Sequence, residues 1–249
     1  CECATVLFLR KYGRALFRKA GTPAARLSAL SKITGLLPTH TRRSEEAQAL
    51  QQFSTPVPLG LAAIAAAAIT PHDIVLEPSA GTGLLAILAE ISGGSLLLNE
   101  LAETRADLLG QLFPALAVTR CDAAQIDDHL PACDVPSVIV MNPPFSVSQS
   151  RGEDQNTAAR HLRPALDHLL PGGRVVAIMP DWFSASARGA EIFRRTLEGA
   201  RVVHLVVAPL DACAELHSST LRSQRPSRAR CTSTVSSPEL VRTRKHTDP

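Results

Sequence analysis

A glycine-rich turn, Gly81-Thr-Gly83, follows an apolar stretch that ends at Glu77. Because glycine has no side chain, such a turn lets the backbone approach a ligand closely, and the helix after it presents free N–H groups. The spacing Gly81-x-Gly83-x-x-Ala86 also fits a dinucleotide fingerprint, with Glu100 where an acidic residue would bind ribose hydroxyls. The turn therefore predicts a nucleoside-containing cofactor but leaves its identity open.

Three further features each lie beside a predicted strand end. Glu77-Pro78 precede the glycines, Asp122 follows the third predicted strand, and Asn142-Pro143-Pro144-Phe145 follow the fourth. In this order the sequence resembles the class I S-adenosylmethionine-dependent methyltransferases, specifically those that methylate amino groups on planar acceptors, such as the adenine-specific DNA methyltransferases. The likeness spans roughly residues 45 to 207, and its four ordered features make it more specific than the glycines alone.

The resemblance implies S-adenosylmethionine as the cofactor and a role for each acidic residue. In that family the residue at Glu77 helps to fix the methionine moiety, the one at Glu100 binds the ribose hydroxyls, and the one at Asp122 accepts from the adenine amino group. The expected cofactor-binding set is Thr55, Glu77, Pro78, Ala80, Gly81, Gly83, Glu100 and Asp122. The expected catalytic set is Asn142, Pro143, Pro144 and Phe145.

The family use of an Asn-Pro-Pro-aromatic loop follows from the electronics of the acceptor. An exocyclic amine delocalises its lone pair into the ring, so the site must favour the form whose lone pair attacks the methyl group. The side-chain carbonyl of Asn142 and the backbone carbonyl of Pro143 would accept both amino hydrogens. Two successive prolines stiffen the loop, and Phe145 would stack on an extruded base.

The segment Phe53-Ser54-Thr55-Pro56 resembles the stretch that packs over the cofactor in adenine-specific DNA methyltransferases, with Thr55 near the methionine end. The region from Gln51 to Phe145 also looks like the methyltransferase region of large bacterial plasmid-borne proteins that carry a helicase region of the strawberry-notch type. This likeness implies that the chain is a fragment whose partners are nucleic acid, DNA in the first place, and a helicase or recognition region outside it. A Cys at position 1 agrees with a fragment.

Other acceptors and other functions remain open at this point. Methyltransferases that act on a glutamine side-chain amide or on guanine in ribosomal RNA use a similar loop. Phe rather than Tyr at position 145 makes the glutamine enzymes a slightly less favoured alternative. An inactive cofactor-binding module is a further alternative, because residues 211–249 are too short for the recognition domain that normally follows. A nicotinamide dehydrogenase, suggested by the glycines, ranks last.

The elements that carry these residues alternate between apolar strands and amphipathic helices. Predicted strands at 73–77, 95–99, 115–119, 137–141, 175–179 and 201–207 are separated by helical segments. This alternation predicts an α/β fold: a Rossmann-like, doubly wound, mostly parallel sheet of the class I methyltransferase type, incomplete at its C-terminal end. In such a sheet, ligands bind beyond the carboxyl ends of the strands.

Charge and composition divide the chain into three parts. Residues 1–43 carry nine Lys and Arg against Glu2 alone and form a basic extension, whereas the methyltransferase domain at 44–210 is acidic. Residues 211–249, rich in Ser, Thr and Arg, are predicted to be disordered. Six scattered cysteines predict neither disulfides nor a zinc site, no metal is expected, and the location is expected to be cytoplasmic, without membrane contact.

Two groups of charged or titratable residues are expected to be solvated. His161 and His168 lie seven residues apart on one predicted helix without an evident carboxylate partner, so a solvated pair is expected. Residues 10–19 carry five basic side chains on a helix-like stretch, for which a solvated charge run is the usual outcome.

Overall fold

The computed structural model describes residues 2–35, 54–130, 135–145, 156–185 and 188–200. The predicted strand at 201–207, the predicted disordered tail at 211–249 and Phe53 lie outside the described residues.

Among the described residues, five parallel strands form one sheet in the order β3-β2-β1-β4-β5. Their bounds are β1 Ile74–Glu77, β2 Ser95–Asn99, β3 Val118–Thr119, β4 Val138–Met141 and β5 Arg174–Ala177. The predicted parallel sheet is confirmed, and the third strand is shorter than the predicted 115–119. The strand order reverses direction between β1 and β4, which is where doubly wound sheets open a crevice for ligands.

The helices cover both faces of the sheet. They are α1 Glu2–Lys19, α2 Pro23–Thr34, α3 Val57–Ala67, α4 Leu84–Ser92, α5 Glu103–Leu112, α6 Ile126–His129, α7 Thr157–His168 and α8 Ala190–Thr196, with a 3-10 turn at Ala123–Gln125 between β3 and α6. Helix α3 begins directly after Pro56, because proline restricts the residue before it to extended backbone.

The side chains of β4 show how the sheet is packed. Val138 and Val140 join an apolar cluster with α1, α3 and α4, whereas Ile139 and Met141 join a second cluster with α7. All four are at most 1% exposed. Because helices cover both faces, the strand reads as a continuous apolar run without alternation. Burial of such side chains stabilises the fold by about 1.5–3 kcal/mol each.

Helix α1 packs directly on α4 within the first core cluster. Its inner face is apolar and includes Val6, Leu9 and Phe17, and its side chain Arg10 pairs with Glu90 of α4 at 3.1 Å. The other four basic residues of the stretch, Lys11, Arg14, Arg18 and Lys19, are exposed. Most of the predicted charge run is therefore solvated, as expected, while Arg10 joins the helix to the domain.

Candidate active site

The four polar features predicted at strand ends are brought to one edge of the sheet. Strands β3, β2, β1 and β4 are neighbours and parallel, so their carboxyl ends lie side by side. Asp122 follows β3, Glu100 follows β2, Glu77 ends β1, and Asn142 follows β4. The sheet thus assembles three carboxylates and one amide from four separate segments of the chain.

The glycine turn is bound to the end of β2 through Glu100. Gly81 and Gly83 have φ of 57° and 84°, a left-handed conformation that side chains disfavour. The Gly81 N–H donates to Glu100 Oε2 at 2.7 Å, and the Ala102 N–H donates to Oε1 at 3.0 Å. Only 6% of Glu100 is exposed, so its carboxylate is held rigidly beside the turn.

Glu77 is a buried acid beside this turn. It is 3% exposed, and its Oε2 has no hydrogen-bond partner among the described residues. Burial raises the pKa of Glu77 well above its ordinary value; the backbone N–H of Ala86 opposes this shift, and the charge of Glu100 adds to it. A buried carboxyl without a full set of partners carries an energetic cost. It is therefore a candidate to receive a donor from a ligand.

Asp122 differs from Glu77 because its side chain is 43% exposed. Its Oδ1 accepts from the Ala124 N–H at 2.9 Å and lies 3.4 Å from His161 Nε2. The hydrogen bond from His161 is the main reason that the pKa of Asp122 falls to about 2. Asp122 also lines an open cleft of about 480 Å³ together with Ala124, Gln125, Arg160, Arg163 and Pro164.

The expectation that His161 and His168 form a solvated pair is wrong. His161 is 7% exposed and contacts Asp122, and His168 Nε2 is buried. The sequence carried a signal for His161, which shares one face of α7 with the buried Ala158 and Ala165 at helical spacing. The carboxylate partner could not be found by spacing because Asp122 lies 39 residues earlier.

Asn142 contacts Thr55, which lies just ahead of α3. The side-chain Nδ2 of Asn142 donates to Thr55 Oγ1 at 3.0 Å. Pro143 is buried, Pro144 is half-buried and Phe145 is 37% exposed. The structure thus brings Thr55, which the resemblance placed at the cofactor, into contact with the candidate catalytic loop.

Asn99, which the sequence analysis did not single out, joins three of these segments. The residue is 1% exposed at the end of β2. Its Nδ2 donates to the carbonyls of Pro78 and Cys121 at 2.9 and 3.0 Å, and its Oδ1 accepts from the Cys121 N–H at 3.0 Å. These bonds fix Pro78 beside β1 relative to Cys121, the neighbour of Asp122. A polar residue at the end of an apolar run was the available signal.

The surroundings of the glycine turn are mainly acidic. Thr82 Oγ1 donates to Glu2 Oε2 of α1 at 2.8 Å, which adds another carboxylate to Glu77 and Glu100. Ala80, also in the turn, is 5% exposed. The guanidinium of Arg105 is nearby, since its Nη1 would lie 3.3 Å from a Cβ added to Gly81. Within the described residues, no group of three or more His, Cys, Asp or Glu could hold a metal ion.

Solved proteins with this architecture include methyltransferases. A putative RNA methyltransferase from Pyrococcus horikoshii is 19% identical, with 72% of this chain and 85% of that chain covered and a TM-score of 0.53. TrmN from Thermus thermophilus is 25% identical, with 64% and 47% covered and a TM-score of 0.49. The likeness to the Pyrococcus structure shows that the chain has the same Rossmann-like fold, which confirms the predicted fold class.

A third structure is the modification subunit of a putative type I restriction enzyme from Vibrio vulnificus. It is 18% identical, with 60% of this chain and 39% of that chain covered and a TM-score of 0.47. The chain therefore spans less than half the length of this subunit and of the Thermus protein. No family model and no curated relative matches the sequence. In the described part of the chain, every helix is too short or too polar to cross a membrane.

Proposed function

We propose that this chain transfers a methyl group from S-adenosylmethionine to an exocyclic amino group, with adenine in DNA as the favoured acceptor. The observation that carries the proposal is the hydrogen bond from Asn142 Nδ2 to Thr55 Oγ1 at 3.0 Å. Because one N–H of the amide is bonded to Thr55, the amide is held in an orientation in which its carbonyl oxygen can face a substrate. An amino group supplies the hydrogens that such an oxygen accepts.

The buried acids support S-adenosylmethionine rather than a dinucleotide. Glu77 Oε2 is a buried acceptor without a partner among the described residues, and it suits the ammonium group of a methionine moiety. Glu2 and Glu100 add negative charge around the turn through their contacts with Thr82 and Gly81. A pyrophosphate would be repelled by these carboxylates, whereas a cationic ligand would be attracted. The same acids disfavour the dehydrogenase alternative.

The residues at Asn142–Phe145 would orient the acceptor. The cofactor supplies an activated methyl group on a positively charged sulfur, so the chain's contribution is mainly positioning. The Asn142 side-chain carbonyl and the Pro143 backbone carbonyl would accept the two amino hydrogens and aim the nitrogen lone pair. Phe145, which is 37% exposed, would stack on the acceptor ring. Asp122 and Glu100 would hold the adenosine part.

Two acceptors deserve a direct comparison. The Asn-Pro-Pro-Phe sequence favours adenine in DNA by its resemblance to the adenine-specific enzymes. The likeness to a protein described as a putative RNA methyltransferase, at a TM-score of 0.53, makes RNA the second candidate. The base would be guanine, because methyltransferases that act on guanine in ribosomal RNA use a similar loop. The exposed basic residues Lys11, Arg14, Arg18 and Lys19 would attract either nucleic acid despite the acidic domain, since contacts to phosphate do not depend on base identity.

Methyl transfer from labelled S-adenosylmethionine to DNA, RNA and a release factor tests this proposal. We expect label in DNA, and Asn142→Ala should lower turnover at least about 100-fold while affinity for S-adenosylhomocysteine stays within about threefold. Gln111→Ala, at an exposed position of α5, is the matched control and should be fully active. Label found only in RNA would mean that the acceptor is in RNA, and label found only in the release factor would mean that it is a glutamine side-chain amide. Cofactor binding without any methyl transfer would favour the inactive module.

A further inference from the structure

His161 lies on the buried face of α7 and is not among the residues that the sequence predicts for the site. The side chain is 7% exposed and shares its helix face with the buried Ala158, Leu162 and Ala165. Its Nε2 lies 3.4 Å from Asp122 Oδ1, and its Nδ1 is buried without a hydrogen-bond partner among the described residues. Within the part of the chain that the structure describes, this ring in its apolar setting makes its polar contact with the Asp122 carboxylate.

Asp122 contacts both Ala124 and His161 through Oδ1, and the charge of Arg160 also acts on the carboxylate. Oδ1 receives the Ala124 N–H at 2.9 Å and also faces His161 Nε2 at 3.4 Å, so both contacts use the same atom. The two donors belong to different elements, the 3-10 turn after β3 and helix α7. Anchoring the carboxylate from two directions restricts both torsions of its short side chain. At 43% exposure, the carboxylate nevertheless reaches the open cleft beside Gln125 and Arg160.

We propose that His161 is a positioning residue that, through Asp122 Oδ1, orients Asp122 Oδ2 to accept a hydrogen bond from the 6-amino group of the cofactor's adenine. The inference rests on the proposed function, because it requires the cleft to receive an adenosine. It assigns His161 no contact with the ligand. The ionised state that this role requires is consistent with the pKa of about 2 at Asp122.

The contact between His161 and Asp122 joins elements from opposite ends of the strand order. Asp122 follows β3 at one end of the strand order, whereas His161 belongs to α7, which precedes β5 at the other end. Helix α7 packs against the 3-10 turn that begins after Asp122, and it also packs against α6 and α8. A hydrogen bond between two packed elements transmits the position of one to the side chain of the other. Recognition of the adenine would therefore depend on the position of α7 relative to the 3-10 turn.

Calorimetric titration of the 249-residue chain tests the inference with two ligands. One is S-adenosylhomocysteine, and the other is its analogue in which hydrogen replaces the 6-amino group of the purine. The variants are His161→Leu, which removes the donor at similar volume, and His161→Gln, whose amide N–H can still reach Asp122. Thermal unfolding of each variant establishes that it is folded before titration.

For His161→Leu we expect the affinity for S-adenosylhomocysteine to fall about fivefold, which is the effect of one hydrogen bond. The affinity for the analogue that lacks the 6-amino group should stay unchanged. His161→Gln should bind both ligands like the parent protein. Equal weakening of both ligands in His161→Leu would show a merely structural role, and unchanged binding would also overturn the inference. Failure of the parent protein to bind S-adenosylhomocysteine would instead overturn the proposed function, and the inference with it.

Discussion

Thr55 Oγ1 accepts a hydrogen bond from Asn142 Nδ2 at 3.0 Å, across 87 residues of sequence. Thr55 lies just ahead of α3, and Asn142 follows strand β4. The contact holds the Nδ2 end of the Asn142 amide at Thr55. The two residues therefore act as one unit in the proposed chemistry, although the sequence assigned them to different roles.

Thr55→Val tests this relationship because it removes the hydroxyl at nearly constant volume. The Asn142 amide would lose its anchor and sample other orientations, so we expect kcat to fall about 10- to 100-fold, the usual effect of misplacing a reacting group. Affinity for S-adenosylhomocysteine should stay within about threefold. Thr55→Ser restores the acceptor and should restore kcat. If kcat is unchanged and calorimetry instead shows a loss of affinity for S-adenosylhomocysteine, Thr55 contributes to cofactor binding, as the resemblance implies.

Glu77→Gln should increase stability and weaken cofactor binding at the same time. A carboxyl whose pKa is raised by folding stabilises the protein below its ordinary value of 4.5, and this contribution is lost as the pH rises toward the raised value. Gln carries no charge to desolvate, so the Glu77→Gln variant should have a higher melting temperature than the parent protein. The difference should grow as the pH rises above 4.5. Each kcal/mol gained in the free energy of unfolding raises the melting temperature by about 2–4 °C in a chain of this size.

Calorimetry with S-adenosylhomocysteine supplies the second half of that test. Loss of the charged partner for the ligand's ammonium group should reduce affinity about tenfold or more in Glu77→Gln. Glu103→Gln is the matched control, because Glu103 is 69% exposed and pairs with Arg120 at the surface, where such pairs contribute little. A stabilised Glu77→Gln variant that binds the ligand normally would remove Glu77 from the cofactor site.

The sequence predicted the fold and the strand-end residues better than the contacts between them. Local apolar runs and the glycine turn define the strands and the edge at which Glu77, Glu100, Asp122 and Asn142 meet, because parallel strands end on one side. Contacts such as Asp122 with His161 join residues far apart along the chain, and no periodicity encodes such a pairing. Asn99 shows the same limit: its partners are the backbone of Pro78 and Cys121 and the Cys121 thiol, and no spacing in the sequence relates them to it.

Asn99→Leu should destabilise the fold strongly because Asn99 satisfies three buried backbone groups. The substitution leaves the carbonyls of Pro78 and Cys121 and the Cys121 N–H without their partner. Each unsatisfied buried group costs about 1–3 kcal/mol, so we expect a loss of about 3 kcal/mol or more in the free energy of unfolding measured with urea. Gln111→Ala, on the exposed face of α5, should change it by less than about 0.5 kcal/mol. A similar small effect for Asn99→Leu would mean that water replaces the amide.

Two glycine substitutions in neighbouring elements should have opposite effects on stability. Gly83 has φ of 84°, and an added Cβ would lie 2.5 Å from Phe113 Cε2 and 2.8 Å from Leu109 Cδ1. Phe113 and Leu109 both belong to the packed first core cluster. Gly83→Ala therefore combines backbone strain with overpacking and should lower the free energy of unfolding by about 2–4 kcal/mol. Gly110 lies inside helix α5 with open space around a would-be Cβ, so Gly110→Ala should stabilise by about 0.5–1 kcal/mol. Urea unfolding of both variants measures the difference. Equal effects would mean that Phe113 moves aside and that the turn relieves the backbone strain at position 83.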